Sequence, residues 1–183
     1  MRVAAYILAL TVIATIAGCV AAGRDRAATQ DAAPLHGFAH LVGGEWTTML
    51  ASGIPLHETW RWEPDGRSLR VVGVGGVADG TPWREEQVFF VDEATGEVRV
   101  RGSNSYRNGH FEGTVRFGSG TAEAQLVIEQ TGWTRRLVRR WRFDGEDRFE
   151  TELLEFIDGE GLVPLASWTY TRSSESPALI PIR

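Results

Sequence analysis

Lysine is absent from this chain; all 19 basic residues are arginine. That excludes any side-chain Schiff base and any phosphate-cradling lysine loop. Cysteine occurs once, at Cys19, so no disulfide can form within the chain. A surplus of positive charge is missing too, with 24 acidic residues giving a net charge of −5. A nucleic-acid backbone demands a basic surface, so nucleic acid is not an expected partner. No apolar run reaches the ~20 residues that a spanning helix needs. A Gly-x-Ser-x-Gly nucleophile turn is also lacking. Gly118-Ser119-Gly120 is a turn, and Gly73-Val74-Gly75-Gly76 is followed by no helix signal that would make it a phosphate loop.

What is present begins with an apolar stretch, Ala4 to Gly18, behind Arg2 and directly before Cys19. Ile16-Ala17-Gly18-Cys19 resembles the lipobox of bacterial lipoproteins: an aliphatic residue, two small residues and a cysteine. The resemblance implies a signal peptide over 1–18, cleavage before Cys19 and a diacylglycerol on its sulfur. A plain secretory signal is the alternative, but it would leave an odd free thiol in a secreted protein. Two or more acyl chains anchor stably where one does not. Val20 follows the cysteine where Asp would favour retention in the inner membrane, so the resemblance leans towards an outer-membrane, periplasm-facing protein. The Ala-rich, aperiodic stretch 19–34 reads as a tether, 35–173 as one domain, and 174–183 as a tail.

After a short predicted helix, Leu35 to Leu41, turn signals recur about every ten residues: Pro64-Asp65-Gly66, Ala78-Asp79-Gly80, Ala94-Thr95-Gly96, Arg107-Asn108-Gly109, Gly118-Ser119-Gly120, Thr131-Gly132, Asp144-Gly145 and Asp158-Gly159. Strands are predicted to start near Glu45, Leu56, Ser68, Trp83, Glu97, His110, Glu123, Trp133, Asp147 and Leu162. Ten strands with short loops predict an all-β, up-and-down antiparallel β-barrel, because closure removes the open edges. In the Asp144-Gly145 hairpin, the apolar pattern predicts a bulged turn. Phe149 would face Trp141, Leu153 would face Leu137, Ile157 would face Trp133, and Arg140 would lie beside Glu150.

Gly44-Glu45-Trp46 opens the first strand, and Trp168-Thr169-Tyr170-Thr171-Arg172 ends the last. With His57-Glu58-Thr59-Trp60-Arg61-Trp62, these residues resemble uncharacterised bacterial lipocalin-like (calycin) lipoproteins over Gly37 to Arg172. The resemblance implies that Trp46 plugs the barrel base and that Arg172 packs across its ring. The strand count exceeds the eight of a typical lipocalin and is nearer to fatty-acid-binding-protein or nitrobindin-like barrels. Nitrobindin-like barrels bind haem through a His. Here Trp46 is followed by Thr47-Thr48-Met49 instead of glycines; His36 and His40 sit four apart and could share a helix face, while His57 and His110 lie on separate strands and no convergent ligand set is offered. No cofactor and no metal is therefore expected.

Seven Trp imply a thick core or an aromatic-lined cavity. Glu58, Trp60 and Trp62 alternate onto one face. If that face points inward, Glu58 is a buried carboxylate whose proton affinity burial would raise. Its competing role is an interior ion pair with an arginine such as Arg139. Glu85 and Glu86 are neighbours in one strand and must point to opposite faces, so they cannot form an acid/base couple. Arg135, Arg136, Arg139, Arg140 and Arg142 face Glu150, Glu152 and Glu155, which accounts for the arginine cluster without an anionic ligand. The expected function is binding of a small apolar or amphipathic ligand in the barrel, with Trp60, Trp62 and Trp141 as walls and Glu58 and Arg139 as polar anchors. The alternative is a non-catalytic envelope interaction protein with a closed, packed barrel. An enzyme using Glu58 as acid/base has the least support.

Overall fold

The computed structural model describes residues 33–50, 53–76, 81–105 and 108–173. The signal peptide, Cys19, nearly all of the tether, the tail and the Ala78-Asp79-Gly80 turn lie outside the described residues.

A 3-10 helical segment, Ala33–Leu41, precedes ten strands. They are β1 Glu45–Met49, β2 Pro55–Trp62, β3 Ser68–Gly76, β4 Pro82–Val91, β5 Val98–Asn104, β6 Gly109–Gly118, β7 Thr121–Gln130, β8 Trp133–Phe143, β9 Arg148–Ile157 and β10 Gly161–Ser173. Each strand pairs antiparallel with its sequence neighbours, and β1 pairs with β10, so the sheet is a closed up-and-down barrel. Every predicted strand start lies within two residues of the observed one.

Alternation builds the interior. In β2, Leu56, Glu58 and Trp60 are buried while Pro55 and Thr59 are exposed. In β3, Leu69 and Val71 are buried, and Gly73 and Gly75 continue that inward row. The glycine at 75 is required by space, because a Cβ there would lie 2.2 Å from Leu56 Cδ2. At the predicted Arg107-Asn108-Gly109 turn, Asn108 takes the positive φ (49°) and Gly109 already belongs to β6. Asn tolerates this left-handed conformation.

The β8–β9 hairpin differs from the predicted register. Phe143 faces Phe149, Arg142 faces Glu150, Trp141 faces Thr151 and Arg140 faces Glu152. Residues 144–147 form a four-residue loop, closed by the Asp144 N–H donating to the Arg148 carbonyl at 3.0 Å. The shift from the predicted pairing is two residues. Parity is kept, and Trp141 and Phe149 still share the inner face. β10 carries an irregularity between Pro164 and Ala166. A proline cannot donate to a ladder, so it is confined to such a site in a barrel without edges.

One end of the barrel is stoppered. Leu35, Phe38 and Leu41 of the helical segment are fully buried. Phe38 is ringed by Trp60 (5.1 Å between centroids), Phe89 (4.9 Å), Phe117 (4.8 Å), Trp141 (5.5 Å) and Phe143 (6.1 Å). Gly37 makes this fit possible, since a Cβ would stand 2.3 Å from Phe117 Cδ1. At the same end the Arg172 guanidinium lies 4.5 Å over the Trp46 ring and donates to the carbonyls of His40 (2.6 Å) and Glu146 (3.0 Å). Gly44 leaves the room, because a Cβ there would meet Arg172 Nη1 at 2.3 Å. Trp46 Nε1 donates to the Leu41 carbonyl at 2.9 Å, tying the stopper to the first strand.

Candidate functional site

Beneath this aromatic layer lies a charged one. Strand β2 delivers Glu58, β4 delivers Glu85 and Gln87, β8 delivers Arg139, β9 delivers Thr151, and β10 delivers Tyr170. Arg139 Nη2 donates to Glu58 Oε1 at 2.7 Å, across 81 residues of chain. Its Nη1 donates to Glu85 Oε1 at 3.4 Å and its Nε to Thr151 Oγ1 at 3.2 Å. Glu58 also accepts from the Tyr170 hydroxyl (3.0 Å) and from Trp60 Nε1 (3.2 Å). Gln87 Nε2 donates to Glu85 Oε1 at 2.5 Å.

Burial ranks the two carboxylates. The Glu58 side chain is 2% exposed and that of Glu85 15%. Burial pushes the Glu85 carboxyl up from 4.5 to about 7, Arg139 pulls it down, and the nearby Glu58 pushes it further up. The Tyr170 hydroxyl is held well above its ordinary value, by burial first and then by Glu58. The carboxylates next to Arg139 outweigh its own burial, so its guanidinium keeps its proton more firmly than usual. Both oxygens of Glu58 accept bonds, so that carboxylate is fixed in place.

Beyond this layer, towards the end opposite the helical segment, inward side chains meet solvent. Leu153 stands opposite Arg139 and therefore shares its inner face, yet it is only half-buried. Ile128, Trp83 and Trp168 are likewise inward and half-buried, and Ala166, opposite Leu153, is exposed. Trp83 lies against the Glu58 layer: a Cβ on Gly73 would be 3.1 Å from its ring and 3.8 Å from Glu58 Cγ. Trp168 Nε1 donates to Tyr170 Oη at 3.2 Å. The inner wall at this end is therefore partly wetted, although Leu56, Phe111, Leu126 and Leu137 on the same wall are buried.

The expected wall residues fall on the packed side. Trp60 and Trp141 are each 2% exposed and belong to the stopper's aromatic cluster, so they offer no free surface to a ligand. Trp62 is half-buried at the stoppered end, 6.4 Å edge-on to His36. Glu58 and Arg139 do meet, in the charged layer. Sequence reasoning passed over Glu85, Trp83, Trp168 and Tyr170. Glu85 does point opposite to Glu86, which pairs outside with Arg70 at 3.2 Å and Arg84 at 2.5 Å. His36 and His40 do not share a face, because four residues of a 3-10 turn separate them by about 120°. His57 lies 3.2 Å from Glu45, and His110 is exposed on β6.

A surface concavity of about 850 Å³ lies elsewhere, on the outer face of β6 to β10. Its charges are matched among themselves: Arg140 with Glu123 at 2.8 Å and Glu152 at 3.6 Å, and Arg142 with Glu150. It has neither the enclosure nor the unbalanced charge of the interior.

The fold is similar to the crystal structure of Rv2717c from M. tuberculosis, with a TM-score of 0.52 and 18% sequence identity over 76% of this chain and 97% of that one. It is also similar, with a TM-score of 0.38 and 17% identity, to the structure of a redesigned β-barrel, mFAP1, bound to DFHBI, covering 73% of this chain and 96% of that one. The first likeness shows the fold alone. No family model matches the chain. No curated protein matches it.

Proposed function

We propose that this chain is a lipid-anchored cell-envelope protein that binds a small amphipathic ligand in the unstoppered half of its barrel. One observation carries the binding reading: inward-facing apolar side chains, Ile128, Leu153 and Trp168, are wetted directly above a buried charged layer. Apolar walls converging on a few fixed polar groups are what small-molecule sites present. Anchoring and envelope location rest on the Ile16-Ala17-Gly18-Cys19 lipobox. Glu58 and Arg139 form the floor of the site in this reading, and Trp60 and Trp141 hold that floor from below.

Titrating hexanol against the full chain, followed by methyl NMR, tests the binding reading. Shifts at Ile128, Leu153 and Val163 support it. An unchanged interior rejects it. Radiolabelled palmitate in a Gram-negative host tests the anchor: the label and the membrane association should both vanish in Cys19→Ala.

A second reading, an interaction protein with its ligand face outside, draws on an outward apolar row. Val127, Phe156 and Leu162 are each 41% exposed. They lie in register across β7, β9 and β10, interrupted only by Arg136, whose guanidinium covers Phe156 at 4.1 Å. Hexanol shifts confined to that row would favour it.

A further inference from the structure

With Glu85 ionised, above about pH 7, the interior charges do not balance. Glu58 and Glu85 share one guanidinium, that of Arg139. All three nitrogens of Arg139 already donate, to Glu58, Glu85 and Thr151. A ligand carboxylate entering this layer would add a third negative charge around one positive. A neutral head would leave the surplus charge as it is. Only a head made of donors and carrying positive charge improves the balance.

The second unsatisfied group is an acceptor as well. Asn104 faces Glu85 across the β4–β5 ladder and its side chain hydrogen-bonds that carboxylate, while its Oδ1 is buried with no donor. An unpaired buried acceptor costs about 1–3 kcal/mol, so a donor arriving there is favoured. An ammonium group supplies three donors and no acceptor. The rest of the open end fits such a molecule. Trp83 and Trp168 flank the Glu58 layer from two strands on opposite sides of β2 in the barrel order, and indole faces attract cations. At the rim, Arg135 is matched by Glu155 at 3.1 Å.

We propose that the open half of the barrel is a site for a small amphipathic amine, its ammonium seated on Glu85 beside Asn104 and its apolar body running out past Trp83, Trp168, Leu153 and Ile128. The assignment rests on the ligand-binding reading above and specifies its head group. Glu85 is the specificity-determining residue. It reaches solvent where Glu58 does not, and it is the carboxylate with the weaker hold on Arg139.

The experiment is calorimetry at pH 8 on the full chain carrying Cys19→Ala, with hexylamine, hexanol and hexanoate as probes. Hexylammonium should bind at least tenfold more tightly than hexanoate. Glu85→Gln should weaken hexylammonium at least tenfold and leave hexanol within about twofold. Glu85→Asp, which keeps the charge, should retain most of the affinity, and the melting transition of each variant shows that it is folded. If hexanol binds but hexanoate matches or exceeds hexylammonium, or Glu85→Gln changes nothing, the amine assignment is wrong and the chamber stands. If none of the three binds, the chamber itself is refuted.

Discussion

The two ends of this barrel are built from the same ten strands, yet among the described residues a segment enters the opening at only one. At one end Leu35, Phe38 and Leu41 drop from the preceding segment into the opening, and each is fully buried. At the other end no described segment does so, and inward residues such as Leu153 and Trp168 keep contact with solvent. Strand pairing explains the wall, which is continuous at both ends. What stands inside the wall depends on a nine-residue segment that belongs to no strand. The charged layer lies at the boundary, where Glu58 is sealed by the packed half and Glu85 is left facing the wetted one.

Removing the stopper should produce the largest difference between the halves. Phe38→Ala should cost about 3–5 kcal/mol, as truncation of a fully buried Phe does. Leu153→Ala, at the open end, should cost about 1 kcal/mol because its side chain is already half in water. Urea denaturation of the two variants reads the gap, and equal costs would erase the distinction. Arg139→Met attacks the boundary and should cost about 3–5 kcal/mol by stranding Glu58 beside Glu85. Adding Glu58→Gln in the same chain should recover part of that loss, which a purely steric defect would not allow.

A smaller effect is expected from Glu85, and its sign is set by burial. Its folded value, about 7, stands above the unfolded 4.5. The folded state therefore binds more protons across that window, and stability falls as pH rises through it. The neutral form's advantage is complete below about 4.5 and gone above about 7. It amounts to roughly 3 kcal/mol between the two limits. Glu85→Gln should flatten that slope relative to the unaltered chain, and parallel pH profiles would contradict it. Arg172→Ala should also be mild, about 0.5–2 kcal/mol for the contact over Trp46, seen as a lowered melting temperature.

Much of the wall was legible in the chain, for local reasons. Period-two alternation and turn residues depend on near neighbours, so strand starts such as Glu45, Ser68 and Trp133 could be read directly. Parity also put Glu58, Trp60 and Trp62 on one face, but did not say that this face is the inner one. Register was less legible: the Asp144-Gly145 pattern fixed which face Phe149 takes but not which residue it opposes, because slips of two keep every side chain on its side. The stopper was read as a helix, but nothing local says that Phe38 enters a barrel mouth. That contact depends on closure of the whole sheet. The open-end residues were missed for another reason. Trp83, Glu85, Gln87 and Phe89 alternate on one face as plainly as Glu58, Trp60 and Trp62 do. Glu85 was weighed only against its neighbour Glu86, so its place in that row went unused.

A soluble paramagnetic relaxation agent, read out on assigned methyl resonances of the ligand-free protein, probes the asymmetry between the two ends most directly. Ile128 and Leu153 should broaden strongly while Leu69, Val71 and Leu41 stay sharp. Equal protection of both sets would mean a barrel shut at both ends, with no chamber above the Glu58–Arg139 layer.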